Sequence, residues 1–152
     1  EHFLEALDGY CDDPTSALCT LANLARNAIA LRVEARAMQY LREAVATGFA
    51  RHSILTTQPI LVYCAGLAAL REEWALALRL SGAAALHREQ HGLLENYVDA
   101  PFHAASMAPA RAALGDRAAD AAFATGRALS TEAALREAEA WLASLPVDER
   151  TP

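Results

Sequence analysis

Two ladders of small residues restrict this chain more than anything else in it. Ala25, Ala37 and Ala44 step by 12 and then 7 residues, and Ala65, Ala77 and Ala84 take the same steps 40 residues later. Alanine supplies 37 of the 152 residues, so spacing alone carries limited weight. Context carries more. Each ladder straddles a break in periodicity, and Leu41 fills the large apolar position between Ala37 and Ala44, where the second ladder has Ser81. Helix separation is set by the side chains at the contact, so each ladder predicts an antiparallel helical hairpin with a close, alanine-lined seam.

Composition agrees. Ala, Leu, Arg and Glu dominate, Gly and Pro number 7 and 6, and β-branched residues are few, which favours an all-α fold. With 54% apolar residues, 152 positions suffice for one domain with its own core. The formal charge of −6 and the scatter of 13 cations, all Arg, argue against direct nucleic-acid contact, which needs clustered cations. Absence of Lys fits GC-rich bacterial codon usage. Cys11, Cys19 and Cys64 are odd in number and lack Cys-x-x-Cys spacing, so buried thiols of a cytoplasmic protein are expected, not disulfides or zinc ligands. No apolar run reaches the roughly 18 residues that span a bilayer, and no signal pattern opens the chain. It begins without Met inside an apolar-periodic run, His2 to Leu7, and so reads as a fragment of a longer polypeptide. A repeat domain over 1–146 and a flexible tail over 147–152 are expected.

Along the chain, residues 1–8 read as the end of a helix stopped by Gly9, and Asp13 with Pro14 as a capped helix start. The first hairpin is expected over 14–31 and 33–47, with Leu18, Leu21, Ala22, Ala28 and Ile29 facing Val33, Val45 and the ladder, and Gly48 as a left-handed cap. The second runs from Thr57–Pro59 to Leu70 and from 73 to 91, ending at Gly92. Leu61, Cys64 and Ala68 face Trp74, Leu78 and Ala85 there. The 40-residue offset exceeds the tetratricopeptide period of about 34, whose small positions the ladders match, and the excess is expected as a longer loop between Gly48 and Gln58. Residues 93–100 read as an irregular link. Asp99 and Pro101 then start a helix to Leu114, stopped by Gly115, with Pro109 kinking or splitting it. Asp116 begins a short helix to Gly126, and Ser130 caps a last one over 131–143, stopped by Pro146. Seven or eight helices stacked in pairs as a TPR-like superhelix result.

Two blocks carry a family likeness. The first is Ala112-Ala113-Leu114-Gly115-Asp116, then Ala122-Phe123, Gly126-Arg127-Ala128-Leu129-Ser130, Glu132 and Ala133. The second is Ala69-Leu70, Trp74, Ala77, Arg79-Leu80, Gly82-Ala83-Ala84, Arg88-Glu89 and Gly92. Together they resemble the helical-repeat region, with its closing motif, of large ATP-binding bacterial regulators, the LuxR-type and MalT-like signal-transduction ATPases. The likeness covers residues 14–143. It implies a tetratricopeptide-like domain acting between a nucleotide-binding switch and a DNA-binding output, with ATP and DNA bound elsewhere in the parent protein. Pro109 and Arg71-Glu72-Glu73, where the family has a tight Gly-Asp turn, depart from the pattern. In physical terms, Phe123 is expected to plug the space between the last two helices, Gly126 to take positive φ, and Ser130 to hold the next helix's first amides.

Chemistry leaves few marks. His87 and His91 are four apart on one helix, a metal-compatible spacing, but two His near a helix C-terminus are favoured by its dipole anyway. His52 and His103 are isolated. Ser81 and Ser106 lack the setting of a nucleophile elbow, and Cys64 sits on an apolar face with no cation near it. No Gly-x-x-x-x-Gly-Lys-Ser/Thr loop exists. No enzyme activity, cofactor or metal is expected.

Binding is the better expectation. The first helix of each stacked pair lines the concave face, where Asn23, Arg26, Asn27, Gln58, Tyr63, Tyr97 and His103 fall outside the core stripe. The sequence thus predicts a non-catalytic regulatory module that receives a protein or peptide partner, or neighbouring domains of its parent. A small-molecule inducer held in the groove is the alternative, and a spacer or oligomerisation scaffold the third reading.

Overall fold

A computed structural model of the chain describes residues 14–51, 54–94 and 97–146, and all its regular structure there is helical. The seven helices are α1 (Pro14–Ala30), α2 (Glu34–Arg51), α3 (Ile54–Leu70), α4 (Trp74–Gln90), α5 (Asp99–Leu114), α6 (Asp116–Arg127) and α7 (Thr131–Ser144). The expected helix over 1–8, the caps at Gly9 and Asp13, Cys11, His52 and the tail lie outside the described residues. Among the described residues, no helix is long and apolar enough to cross a membrane.

Both ladders are buried in seams. Ala25, Ala37, Ala44, Ala65 and Ala77 are wholly inaccessible and Ala84 nearly so, as are Leu41 and Ser81 between them. Helices α1 and α2 form one hairpin, α3 and α4 the next, and α3 lies against both helices of the first pair. The arrangement is that of stacked helix pairs. Because α3 also meets α5 and α7, it is covered on every side, and Ile60 to Ala69 are all buried. An apolar sequence without a polar face, Ile60-Leu61-Val62-Tyr63-Cys64-Ala65, is what a central helix requires.

The repeat is visible in the turns as well. At the end of α1, Val33 donates its amide to the carbonyl of Ala28 and Arg32 to that of Ile29; at the end of α3, Glu73 donates to Ala68 and Glu72 to Ala69. Leu93 to Arg88 and Gly92 to Glu89 repeat this at the end of α4. All three are Schellman closures, which need a left-handed residue. Gly92 supplies it at φ +61°, whereas Arg32 and Glu72 adopt φ of 57° and 62° in spite of their side chains.

Several expectations need correction. The 40-residue offset is not a longer loop: α2 runs through Gly48 to Arg51 and α3 begins at Ile54, so the excess is extra helix. Gly48 is no cap. It is buried within α2, where a Cβ would meet Ile60 at 3.2 Å. Pro59 and Pro109 both lie inside helices, so Pro109 does not split α5 in two. Val33 is 43% exposed, because the turn swings it out of the seam. Asp99 does not cap α5: the cap position is Val98, and Asp99 turns inward.

Beyond the second hairpin the chain departs from simple succession. The most extensive helix contact is between α4 and α6, and α7 returns to lie against α2 as well as α4. Two glycines make the α4–α6 approach possible. A Cβ on Gly82 would fall 2.1 Å from the Phe123 carbonyl oxygen, and one on Gly126 would fall 1.8 Å from that of Arg79. Gly126 therefore serves by lacking a side chain within α6, not by positive φ, which it does not have. Phe123, half-buried, contributes its backbone to this seam. Ser130 acts as expected, its hydroxyl accepting the amide of Ala133 at 3.1 Å. Helix α7 is held by Arg42 of α2, whose Nη2 donates to the carbonyls of Leu142 and Leu145 at 2.8 Å each and whose Nε donates to Leu142 at 3.1 Å. Trp141 adds a bond from its indole to Glu73 at 2.8 Å, and Arg79 pairs with Glu137.

Candidate functional site

Helix α5 is fixed by a buried polar triad. The Tyr63 hydroxyl donates to Asp99 Oδ1 at 2.8 Å, and Arg26 Nη1 approaches the same oxygen at 3.5 Å. Tyr63 is 2% and Asp99 5% exposed, so the carboxylate needs these donors to remain buried. Burial, then the bond to Asp99 and its charge, push the Tyr63 hydroxyl well above the ordinary tyrosine range. One turn along α5 from Asp99, Phe102 meets the Tyr63 ring edge to face at 5.7 Å. Gly66 makes room, since a Cβ there would lie 2.7 Å from Phe102 Cζ.

Beside this triad α1, α3 and α5 wall a groove of about 610 Å³. Its walls are Ile29 and Ala30 of α1, Gly66, Ala69 and Leu70 of α3, Trp74 at the start of α4, and Pro101, Phe102, Ala105, Ser106 and Pro109 of α5. The lining is mostly apolar. Charge enters at two points, Arg32 and Glu72, which are the left-handed residues of the two hairpin turns. The volume lies within the roughly 300–1,000 Å³ of small-molecule sites.

The residues expected on the concave face divide. Arg26 and Tyr63 come together with Asp99, but Tyr63 faces the interior and presents nothing to a partner. Asn23 and Asn27 are exposed on α1, with Asn27 Oδ1 3.5 Å from Arg26 Nη2. Gln58 is half-buried, and Tyr97, 87% exposed, lies on the link before α5. His103 is half-buried, its Nε2 2.6 Å from Ser81 Oγ. A hydroxyl beside an imidazole has the elements of a nucleophile, yet Ser81 is 1% exposed and out of reach of a substrate. None of the seven lines the groove. The missed residues carried one signal: Pro101, Ala105 and Pro109 recur every fourth position on α5, an apolar stripe.

A second, smaller cavity of about 220 Å³ lies by the His pair. His87, 3% exposed, is held between two elements: Nε2 lies 3.0 Å from the Ile54 carbonyl and Nδ1 3.0 Å from Thr131 Oγ1. A carbonyl only accepts, so Nε2 carries the proton and the Thr131 hydroxyl donates to Nδ1. Desolvation lowers the His87 pKa, with the neighbouring His91 ring at 4.4 Å adding to the effect. Both nitrogens being engaged, this imidazole has no lone pair to offer a metal. Among the described residues no cluster of three or more His, Cys, Asp or Glu is placed to hold one. Cys64 is fully buried and its thiol is pushed up to about 12. Cys19, by contrast, is exposed, which corrects the expectation of a buried thiol there.

No protein-family model matches the chain, and neither curated proteins nor solved structures provide a match.

Proposed function

We propose that this chain is a non-catalytic regulatory and protein-interaction module, a helical-repeat segment of a bacterial signal-transduction ATPase that controls transcription. It receives its partner in the groove between α1, α3 and α5, and a cytoplasmic location goes with this role. The observation that carries the reading is the groove itself: a largely apolar trough of about 610 Å³ walled by α1, α3 and α5 with Trp74 of α4, open to a partner. The assignment to regulators rests on the closing motif from Ala112 to Ala133. A small-molecule inducer is the second reading, favoured by the volume.

The test uses a photo-crosslinking residue at Ala105, exposed in the groove, and at Ala121, exposed on α6, in the parent protein within its bacterial host. Specific adducts at position 105 and a changed transcriptional output when Ala69→Arg fills the groove are the expected results. Equal yields at both positions, with an output that Ala69→Arg leaves untouched, would remove the proposal.

A further inference from the structure

We propose that the groove takes a short apolar peptide with free termini, its carboxylate held by Arg32 and its ammonium by Glu72. This rests on the groove being the binding site and goes further by naming the ligand's chemistry.

The two charges are the starting point. Among the described residues, Arg32 and Glu72 are the non-glycine positions with positive φ, and both line the groove. They occupy the same place in successive repeats, 40 residues apart, at turns where glycine would close the helix without strain. Each repeat thus holds a charged side chain on a strained backbone at the rim, one cationic and one anionic. Strain of this kind collects where a side chain is needed for function. Neither makes a side-chain hydrogen bond or ion pair with another described residue, in contrast to Arg26, Arg42, Arg71 and Arg79.

Charge selects the ligand. Arg32 and Glu72 stand at the ends of the neighbouring helices α1 and α3 on one groove, and a peptide with free termini carries the matching carboxylate and ammonium. A groove of about 610 Å³ has room for several residues between them. A fatty acid would satisfy Arg32 and leave Glu72 unmatched. The wall adds an acceptor: Pro109 has no amide, so the Ala105 carbonyl lacks the donor that an α-helix supplies four residues on. Ala105 and Pro109 both line the groove, and peptide N–H groups are what such a carbonyl takes. Trp74 and Phe102 offer aromatic surface to apolar side chains.

The experiment is calorimetric titration of the full chain with trileucine in four forms: free, N-acetylated, C-amidated and doubly blocked. Free trileucine should bind, and blocking either end should weaken it by about 1.5-fold to fivefold, the range of exposed ion pairs. Glu72→Gly should weaken the free peptide as acetylation does and leave the acetylated form unaffected; Arg32→Gly should act in the same way toward the amidated form. Glycine suits both turns, so these variants melt no lower than the parent chain, and lost affinity is not lost fold. Doubly blocked trileucine binding as tightly as the free form would overturn the terminal pairing while leaving the groove reading intact. Laurate binding more tightly than any peptide form, or no form binding, would overturn the proposal, with the crosslink at Ala105 reporting separately on the groove.

Discussion

Replacing Gly126 by alanine should destabilise the protein, although the same change in an isolated helix stabilises it. In a helix interior alanine is better than glycine by roughly 0.5–1 kcal/mol. Here the added Cβ falls 1.8 Å from the Arg79 carbonyl oxygen and 2.7 Å from its carbon. These are backbone atoms of α4 and cannot swing aside. Reaching the 3.4 Å of ordinary contact requires α4 and α6 to part by about 1.6 Å. A gap of only 0.5–1 Å already forfeits a quarter to a half of each dispersion contact, and overpacking typically costs about 1–3 kcal/mol. Net of the helix gain, the expected loss is about 1–2 kcal/mol, read from urea unfolding followed by far-UV circular dichroism. Gly82→Ala opens the same seam from the other side, with its Cβ 2.1 Å from the Phe123 carbonyl oxygen. One separation relieves both clashes, so the double variant should lose less than the two single losses added together. A Gly126→Ala protein as stable as the parent, or fully additive losses, would refute the close α4–α6 approach.

Other perturbations address other joints. Arg42→Ala removes three charged hydrogen bonds to the end of α7 and should cost about 1.5–3 kcal/mol, with hydrogen exchange quickening in 131–144; unchanged exchange there would contradict the contact. Pro109→Ala restores a helix amide and should stabilise by about 1–3 kcal/mol, a thermal melt being the check. His87 is neutral in the fold and its pKa lies below the ordinary 6.5, so the unfolded chain binds the proton more readily. The His87 contribution to stability is therefore fully present above about pH 6.5 and is lost as the pH falls below it. Melting midpoints taken downward from about pH 8 should drop below that point in the parent more than in His87→Gln.

The hairpins were legible because alanine spacing reports a seam directly, and the same residues lie buried in it. Boundaries at Gly and Pro were less so. Gly48 and Gly126 are used for closeness, and Pro59 and Pro109 are carried inside helices, so tertiary packing overrode the local preference that each residue suggests. The charged turns at Arg32 and Glu72 could not be read as left-handed, since that conformation usually draws glycine. Tyr63 reads as a concave-face residue because it falls outside the core stripe; its partner, Asp99, is 36 residues away on a helix whose docking no periodicity encodes. The groove exists only once α5 lies across α1 and α3, which is why its lining escaped a reading by segments.

The most direct measurement is amide and indole chemical-shift mapping of the isotope-labelled chain during addition of free trileucine. Shifts concentrated at Gly66, Ala69, Ala105 and the Trp74 indole, with Arg32 and Glu72 at their edge, are what the groove account predicts. Shifts centred on Ala118 to Ala121 of α6, or on His87 and Thr131, with the α1–α3–α5 face unmoved, would contradict it.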